Sequence, residues 1–306
     1  MLISGGFWCA KPPDAAIQFQ ATPSPDSLVM LWWNVENFFD TIDDPGVRDT
    51  EFTPMGSKRW DSGRFWWKTR LIAKGLVAAS HGAPPDLIAL SEVENASCLS
   101  ALLSVLPWGW DYWVMHRDGP DPRGIDLALL YRPDRVSLVE ADWVRSSHAA
   151  REAIVATVQR AGDSASYSQT IMWVHLPSQY RPEPMRRIKA MDGYDVNTPL
   201  DSIDWVIGDF NASPDGPLGQ WMSVRGWNEA LSTGCLGTYV YRGHWERIDQ
   251  VWCRRHDEAI HVQVIPFGLK EVNGKPSVKR TFQSTRYIGG ASDHLILRIS
   301  HCLSKK

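Results

Sequence analysis

Apolar runs punctuate this chain, and each is followed or flanked by an acid, an amide or an imidazole. Leu28-Val29-Met30-Leu31-Trp32-Trp33 passes into Asn34-Val35-Glu36-Asn37, and Leu87-Ile88-Ala89-Leu90 into Ser91-Glu92-Val93-Glu94-Asn95. Ile171-Met172-Trp173-Val174 delivers His175-Leu176-Pro177-Ser178, and Trp205-Val206-Ile207 delivers Gly208-Asp209-Phe210-Asn211. Asp249 interrupts the apolar pattern Arg247-Ile248-Asp249-Gln250-Val251-Trp252, and Ser292-Asp293-His294 precedes Leu295-Ile296-Leu297-Arg298-Ile299. Short apolar runs bounded by polar residues read as buried strands. Side chains alternate along extended backbone, so Asp209 and Asn211 share one side and Phe210 takes the other. One acid at a strand end is commonly a turn residue or cap. Repetition of the same design along the chain points instead to a shared site at one rim of a sheet.

Between these runs the spacing changes. Phe65, Thr69, Ile72, Leu76 and Ala79 recur at helical intervals and predict an amphipathic helix with Arg64, Lys68 and Lys74 towards solvent. Pro84-Pro85 stops anything helical before the Glu92 strand. Leu99 to Leu106 reads as a short helix, a second lies near Met185 to Met191, and Gly216-Pro217 opens a third. Tyr112 to His116, Leu127 to Tyr131 and Arg151 to Thr157 read as strands. Thr41 to Asp61 is a polar loop long enough to reach the site, and a Pro/Arg-rich loop spans Pro177 to Pro184. This order suits either a parallel sheet or a two-sheet sandwich covered by helices, and the pattern leaves both open. Residues 1–27 lack periodicity and read as an irregular arm. Because the polar clusters run nearly end to end, residues 28–306 are expected to form a single catalytic domain. The first apolar piece lacks the basic start of a secretory signal, so the expected location is cytoplasmic, with export after trimming as the alternative.

Composition narrows the function only slightly. A hydrophobic content of 43% over 306 residues supports a sizeable core. A net charge of −3 gives no basic face for nucleic acid, although a bound divalent cation would bring positive charge to an acidic pocket. The five cysteines are odd in number and lack zinc or redox spacing, so they read as free thiols in a reducing compartment. The 16 tryptophans read as packing residues rather than as a platform for stacked bases. No stretch is long and apolar enough to span a membrane. A P-loop is absent, and so is the Gly-Asn-His cluster with several histidines that two-metal phosphoesterases require.

In their order, Asn34, Glu92, His175, Asp209 with Asn211, Asp249, and Asp293 with His294 resemble the motif set of the endonuclease/exonuclease/phosphatase superfamily, over roughly Leu28 to Ile299. The stretches Asn34 to Asp40, Ser91 to Asn95 and Arg123 to Pro133 look most like a bacterial, deoxyribonuclease-like branch of it. The chain departs from that branch at Val174, where Asn is usual, and at Gln179, where Arg is usual; Arg181, Arg186 and Arg187 are nearby substitutes. The resemblance implies an α/β fold, a four-layer α/β sandwich of two packed mixed β-sheets flanked by helices, with the site at one end.

It also implies divalent-metal-dependent hydrolysis of a phosphoester by in-line attack of an activated water, with Mg2+ as the cofactor and Mn2+ as the alternative. Glu92 is the expected metal ligand, because a carboxylate suits a hard cation that keeps several waters. Asn34 and Asp293 are expected to complete the shell or hold its waters, and Asn34 also to reach the phosphate. Asp209 is expected to orient or deprotonate the water, Asn211 to bind a phosphate oxygen, and Asp249 to hold the ring of His294. His175 falls on the leaving-group side, with Asp126 as its carboxylate partner. Arg151 matches a phosphate-contacting arginine, while His116, His148, His244, His256 and His261 lack any such context. The expected activity is that of a phosphodiesterase or nuclease on nucleic acid. The alternatives are a phosphatase for a small phosphomonoester or a lipid headgroup, and an inactive binding module on the same fold.

Overall fold

The structure is a computed structural model and describes residues 27–162, 168–178, 185–230, 237–254 and 260–302. Its strands are β1 (Ser27–Phe38), β2 (Leu87–Val93), β3 (Trp113–His116), β4 (Asp126–Tyr131), β5 (Val136–Val144), β6 (Ala153–Arg160), β7 (Ser168–His175), β8 (Trp205–Asp209) and β9 (Asn228–Glu229). They continue with β10 (Tyr239–Tyr241), β11 (His244–Glu246), β12 (Asp249–Cys253), β13 (Ile260–Ile265), β14 (Leu269–Val272), β15 (Lys275–Val278), β16 (Phe282–Gln283), β17 (Arg286–Tyr287) and β18 (Ile296–Cys302). The α-helices are α1 (Ser62–Ser80), α2 (Ala96–Val105), α3 (Met185–Asn197) and α4 (Pro217–Val224).

Two six-stranded mixed sheets result, in the orders β13-β18-β1-β2-β4-β3 and β5-β6-β7-β8-β12-β9. Each has one parallel pair at its centre, β1 with β2 and β7 with β8. A parallel pair needs a long crossover, and α1 and α3 supply the two. Strand alternation then sorts the apolar residues into three cores. Leu28, Met30 and Trp32 of β1 meet Ile171 and Trp173 of β7 and Ile207 of β8 between the sheets. Leu31 and Trp33 face the other way, onto Ile72 and Leu76 of α1 and Leu99 and Leu102 of α2. Met172, Val174, Val206 and Phe210 pack on Met191 and Tyr194 of α3 and Met222 of α4. The arrangement is a four-layer sandwich: helices, sheet, sheet, helices.

The helix ends follow their sequence signals. The Asp61 side chain accepts from the Arg64 N–H to start α1, and Asn95 does the same for the Cys98 N–H to start α2. Gly216 precedes Pro217 at the start of α4. The α1 periodicity misplaces one residue. Lys68 is not on the solvent face; it is fully buried, and its ammonium donates to the carbonyls of Glu36 and Ala291 and the Thr281 hydroxyl. Those acceptors come from other parts of the chain, so helical spacing carries no sign of them. The Arg151 to Thr157 expectation becomes β6, beginning two residues later. β5 and β13 escape the hydrophobic pattern because they are sheet edges with half-exposed faces. Gln179, Arg181, Cys235 and His256 lie outside the described residues, as does the N-terminal arm save Ser27. Among the described residues, no helix is long and apolar enough to cross a membrane.

Candidate active site

At one end of the sandwich the core residues give way to polar ones without any change of alternation. Trp205 and Ile207 face the other sheet, so Asp209 does too; the same parity sends His175 and Asp249 there from β7 and β12. Register sets the three side by side: His175 pairs with Asp209 across the parallel ladder, and Asp249 pairs with Asp209 across the antiparallel one. The chain leaves β8 through Phe210, buried against Trp252, and Asn211, whose φ of 49° ends the strand. Asn211 is pinned there by its N–H on Asp209 Oδ1 (2.9 Å), its amide on the Leu176 carbonyl (3.0 Å) and the Arg187 guanidinium on its own carbonyl (2.8 Å).

The facing sheet contributes from broken strand ends. The β1–β2 ladder slips between Asn34 and Phe38, and Glu36, Asn37 and Glu92 all take left-handed backbone at φ 49°, 54° and 63°. Such residues cost free energy unless their surroundings hold them. Here Asn34 Oδ1 accepts the Glu36 N–H (3.0 Å), Glu92 Oε2 accepts the Asn37 N–H (2.8 Å) and Lys68 holds the Glu36 carbonyl (2.6 Å). Without these turns, strand alternation would carry Glu92 onto the helix-facing side with Leu90.

Asp209 is the electrostatic centre. Its Oδ2 receives the Asn34 amide at 3.1 Å and lies 3.5 Å from His175 Nε2 and 3.9 Å from His294 Nε2. Burial, with Asp249 alongside, drives its carboxyl up to about 7 against the pull of His294, the Asn211 N–H and Asn34. His294 shares a proton through Nδ1 with Asp249 Oδ2 at 2.8 Å, and the other Asp249 oxygen accepts the Trp32 indole N–H at 2.8 Å. Burial disfavours the imidazolium of His294, but Asp249, with Asp209 and Asp293 behind it, overrides that and holds its pKa well above the ordinary value. His175 goes the opposite way: burial, with Arg151 and Arg123 nearby, keeps it neutral. The surroundings therefore push the two imidazoles in opposite directions on either side of one buried carboxyl group.

These groups line a cavity of about 690 Å³ that includes Asn34, Glu92, Arg151, His175, Asp209, Asn211, Asp293 and His294. Asp249 stands behind His294. Oxygen donors crowd one wall: Glu92 Oε1, 3.7 Å from His175 Nε2, the carboxylate of Asp293, and Glu36, whose carboxyl is raised to about 8 by burial and by Asp293. The oxygen donors of Glu92, Asp293 and Asn34 fit a hard divalent cation, with Arg280 paired to Asp293 and Lys68 beside Glu36.

A sequence model described as the Endonuclease/Exonuclease/phosphatase family matches residues 29–191. The chain belongs to that family. No curated protein matches the chain. Among solved structures, the human Nocturnin catalytic domain with bound sulfate is similar at 19% identity and a TM-score of 0.57, covering 90% of this chain and 93% of that one. D. rerio TDP2 complexed with a single-strand DNA product is similar at 15% identity and a TM-score of 0.57, covering 90% of this chain and 98% of that one. A mannosyl-6-phosphatase from Bacteroides thetaiotaomicron VPI-5482 is similar at 14% identity and a TM-score of 0.56, covering 89% of this chain and 98% of that one.

Within this endonuclease/exonuclease/phosphatase fold, one expected residue falls elsewhere. Asp126 does not partner His175: its carboxylate accepts the Gly119 N–H at 2.8 Å at the start of β4, and the acids beside His175 are Asp209 and Glu92. The parity of β4 relative to β7 depends on how the two sheets stack, which sequence spacing does not encode. Arg151 lines the cavity but is heavily engaged, with Nε on Asp121 (2.9 Å) and Nη1 on the Leu176 carbonyl (3.1 Å). Val174 faces α3 rather than the cavity, so its departure from the usual Asn lies off the site. Arg186 reaches the cavity, whereas Arg187 supports Asn211 from behind.

The structure also adds wall residues that the motifs did not single out. Arg48, Phe52 and Lys58 come from the Thr41 to Asp61 loop, Arg123 precedes β4, and Tyr239, Arg280 and Phe282 come from the hairpins before β18. Arg280 pairs with Asp293. The signals for these were the length of the Thr41 to Asp61 loop and, for Arg123, its place at the head of the family-like stretch Arg123 to Pro133. No tryptophan is among the described residues lining the cavity.

Proposed function

We propose that this protein is a divalent-metal-dependent phosphoester hydrolase, with Mg2+ foremost and Mn2+ able to replace it, and that its substrate is a phosphodiester of nucleic acid. The observation that carries this reading is the Asp209 carboxylate, buried, raised to about 7, and set between His175, His294 and Asn34. A carboxylate poised near neutral pH is suited to take a proton from water. Glu92, Asp293 and Asn34 would hold the metal, which when bound would supply positive charge to neutralise the phosphoryl group and lower the pKa of a bound water.

The chain's own residues do the rest. Asp209 orients the attacking water and accepts its proton. The His294 imidazolium, kept charged by Asp249, donates towards the phosphoryl oxygens as negative charge builds on them. Asn211 keeps one amide hydrogen on Leu176 and offers the other to a phosphoryl oxygen. Neutral His175 sits on the leaving-group side, and Arg151 fixes the wall opposite. Further cations at the rim, Arg48, Lys58, Arg123 and Arg186, favour a substrate with more than one phosphate. The likeness to a TDP2 structure holding single-strand DNA agrees with that choice.

A small phosphomonoester is the second reading. A cavity of about 690 Å³ matches one compact ligand, and a mannosyl-6-phosphatase shares the fold. The test is hydrolysis of supercoiled DNA, single-stranded RNA, a generic phosphodiester and a generic phosphomonoester, with Mg2+, Mn2+ or chelator. Metal-dependent cleavage of nucleic acid and diester, lost in Asp209→Ala, is expected. Turnover of the monoester alone selects the second reading, and turnover of none overturns both.

A further inference from the structure

A second acidic group lies beyond the catalytic wall, where the Thr41 to Asp61 loop meets the end of β2. Asp44, Asp49 and Glu94 each offer a carboxylate oxygen, and these three oxygens lie within 4.8 Å of one another. Asp49 is 1% exposed and Glu94 3%. Each of these two uses one oxygen in the protein: Asp49 Oδ2 accepts the Asp44 N–H (2.9 Å), and Glu94 Oε2 accepts the Asp40 N–H (2.6 Å) and the Asn95 amide (3.2 Å). Their other oxygens, Asp49 Oδ1 and Glu94 Oε1, are sealed from solvent and have no hydrogen-bond partner. A fourth acid, Asp40, stands beside them, its Oδ2 accepting the Asn95 amide at 3.0 Å.

Among the described residues, none of the four acids forms an ion pair with a Lys or Arg. Two orphaned buried carboxylate oxygens so close to a third carboxylate are an expensive arrangement unless something positive sits between them. A single proton shared between Asp49 and Glu94 would satisfy their two orphaned oxygens but leave Asp40 and Asp44 without a counter-charge. A hard cation satisfies all of them, and an oxygen-only set on an irregular loop matches the adaptable, many-oxygen coordination of Ca2+ better than the strict octahedron of Mg2+.

We infer that Asp44, Asp49 and Glu94 form a structural calcium site, separate from the catalytic metal, that fastens the Thr41 to Asp61 loop to the end of β2. The consequence is geometric. That loop carries Arg48, Phe52 and Lys58 to the cavity, and the main chain of Arg48 is docked on the Pro122 carbonyl at 2.8 Å. Filling the site would hold the cationic rim in place without touching the reacting phosphate. The inference stands apart from the hydrolase reading, because it concerns binding and loop order rather than turnover.

The test uses full-length protein stripped with chelator and then titrated with Ca2+ alone, followed by calorimetry, thermal melting and limited proteolysis of the loop. The expected result is one Ca2+ bound with a raised melting temperature and at least tenfold slower cleavage within residues 41–61. The Asp49→Asn/Glu94→Gln double variant should lose both effects, while Glu92→Gln keeps them. Should the double variant fail to fold, Asp44→Asn is the substitute and should weaken Ca2+ binding at least tenfold. No Ca2+-induced shift in the wild type, or an unchanged affinity in the variant that folds, overturns the site. Loss of the shift in Glu92→Gln instead would place the calcium in the catalytic cavity and overturn it as well.

Discussion

β7 and β8 reach the cleft as unbroken strands, so His175 and Asp209 arrive as register partners, with Asp249 opposite Asp209 on the next strand. β1 and β2 reach the same cleft after their ladder has slipped, and deliver Asn34, Glu36 and Glu92 through left-handed turns. The two parallel pairs occupy equivalent places in their sheets. One aims its side chains by pleat alone; the other needs a set of side-chain clamps to hold backbone that the strand itself would not adopt. The regular half holds His175 and Asp209, proposed to handle protons, and the broken half holds Asn34 and Glu92, proposed to hold metal; His294 and Asp293 join them from the segment before β18. A strand spaces neighbouring side chains rigidly about 5 Å apart, which suits proton relay. Converging several oxygens on one cation demands that the chain double back, which a strand cannot do.

The sharpest way to separate the halves is Asp209→Ala. On the regular half no backbone depends on this carboxylate beyond the Asn211 N–H, so turnover should fall by about 10³–10⁴-fold while the melting temperature is held or raised, since a buried acid is removed. Lys68→Met attacks the broken half through its clamp. It strips the donor from the Glu36 and Ala291 carbonyls, leaves buried Glu36 without its cation, and should destabilise the fold by about 3–5 kcal/mol in denaturant unfolding. If the loss is small, the turns at Glu36 and Asn37 hold themselves.

Glu92→Gln comes next. It keeps the acceptor for the Asn37 N–H but removes a charge from the oxygen wall, so half-saturation by Mg2+ should rise about 100-fold or more with the fold retained. An unchanged metal titration would move the proposed ligand elsewhere. Asp249→Asn tests the regular half more gently. Deprived of the carboxylate, His294 should lose its upward shift and deprotonate at lower pH. The alkaline limb of the kcat/KM profile should then move to lower pH, with turnover down about 10–100-fold.

The smallest effect lies at the far edge of the broken half. Asp126 has its carboxyl raised from the ordinary 3.8 to about 6, chiefly by burial. A carboxyl with a raised folded pKa contributes stability below the unfolded value and loses it as pH climbs through the folded one. Asp126→Asn should therefore gain on the wild type between pH 4 and pH 7, by on the order of 1 kcal/mol, read as a melting-temperature difference.

Lys68 and Asp126 mark where linear reading stops. Lys68 sits at a spacing that suits a solvent-facing residue, and only the return of residues 281–291 over α1 makes it a buried anchor. Asp126 stands at the head of a strand aimed in the right general direction, but its carboxylate is captured locally by the Gly119 N–H. The wall residues Arg48, Lys58, Tyr239 and Arg280 have no pattern of their own, because hairpins and loops place them by docking rather than by periodicity.

What the sequence determined by itself was the set of central strands, the helix carried by Phe65 to Ala79, the shorter one near Leu99, and the polar residue that closes each apolar run. Pleat parity and helical spacing act over a few residues, so they are written locally. The tertiary structure decided the rest: that two sheets face each other rather than forming one, that Glu92 turns inward at a left-handed residue, that His294 pairs with Asp249 across 45 positions, and that Asp44, Asp49 and Glu94 meet. These depend on which distant segments pack together, and that is set by the burial of whole faces, not by the order of residues within any one of them.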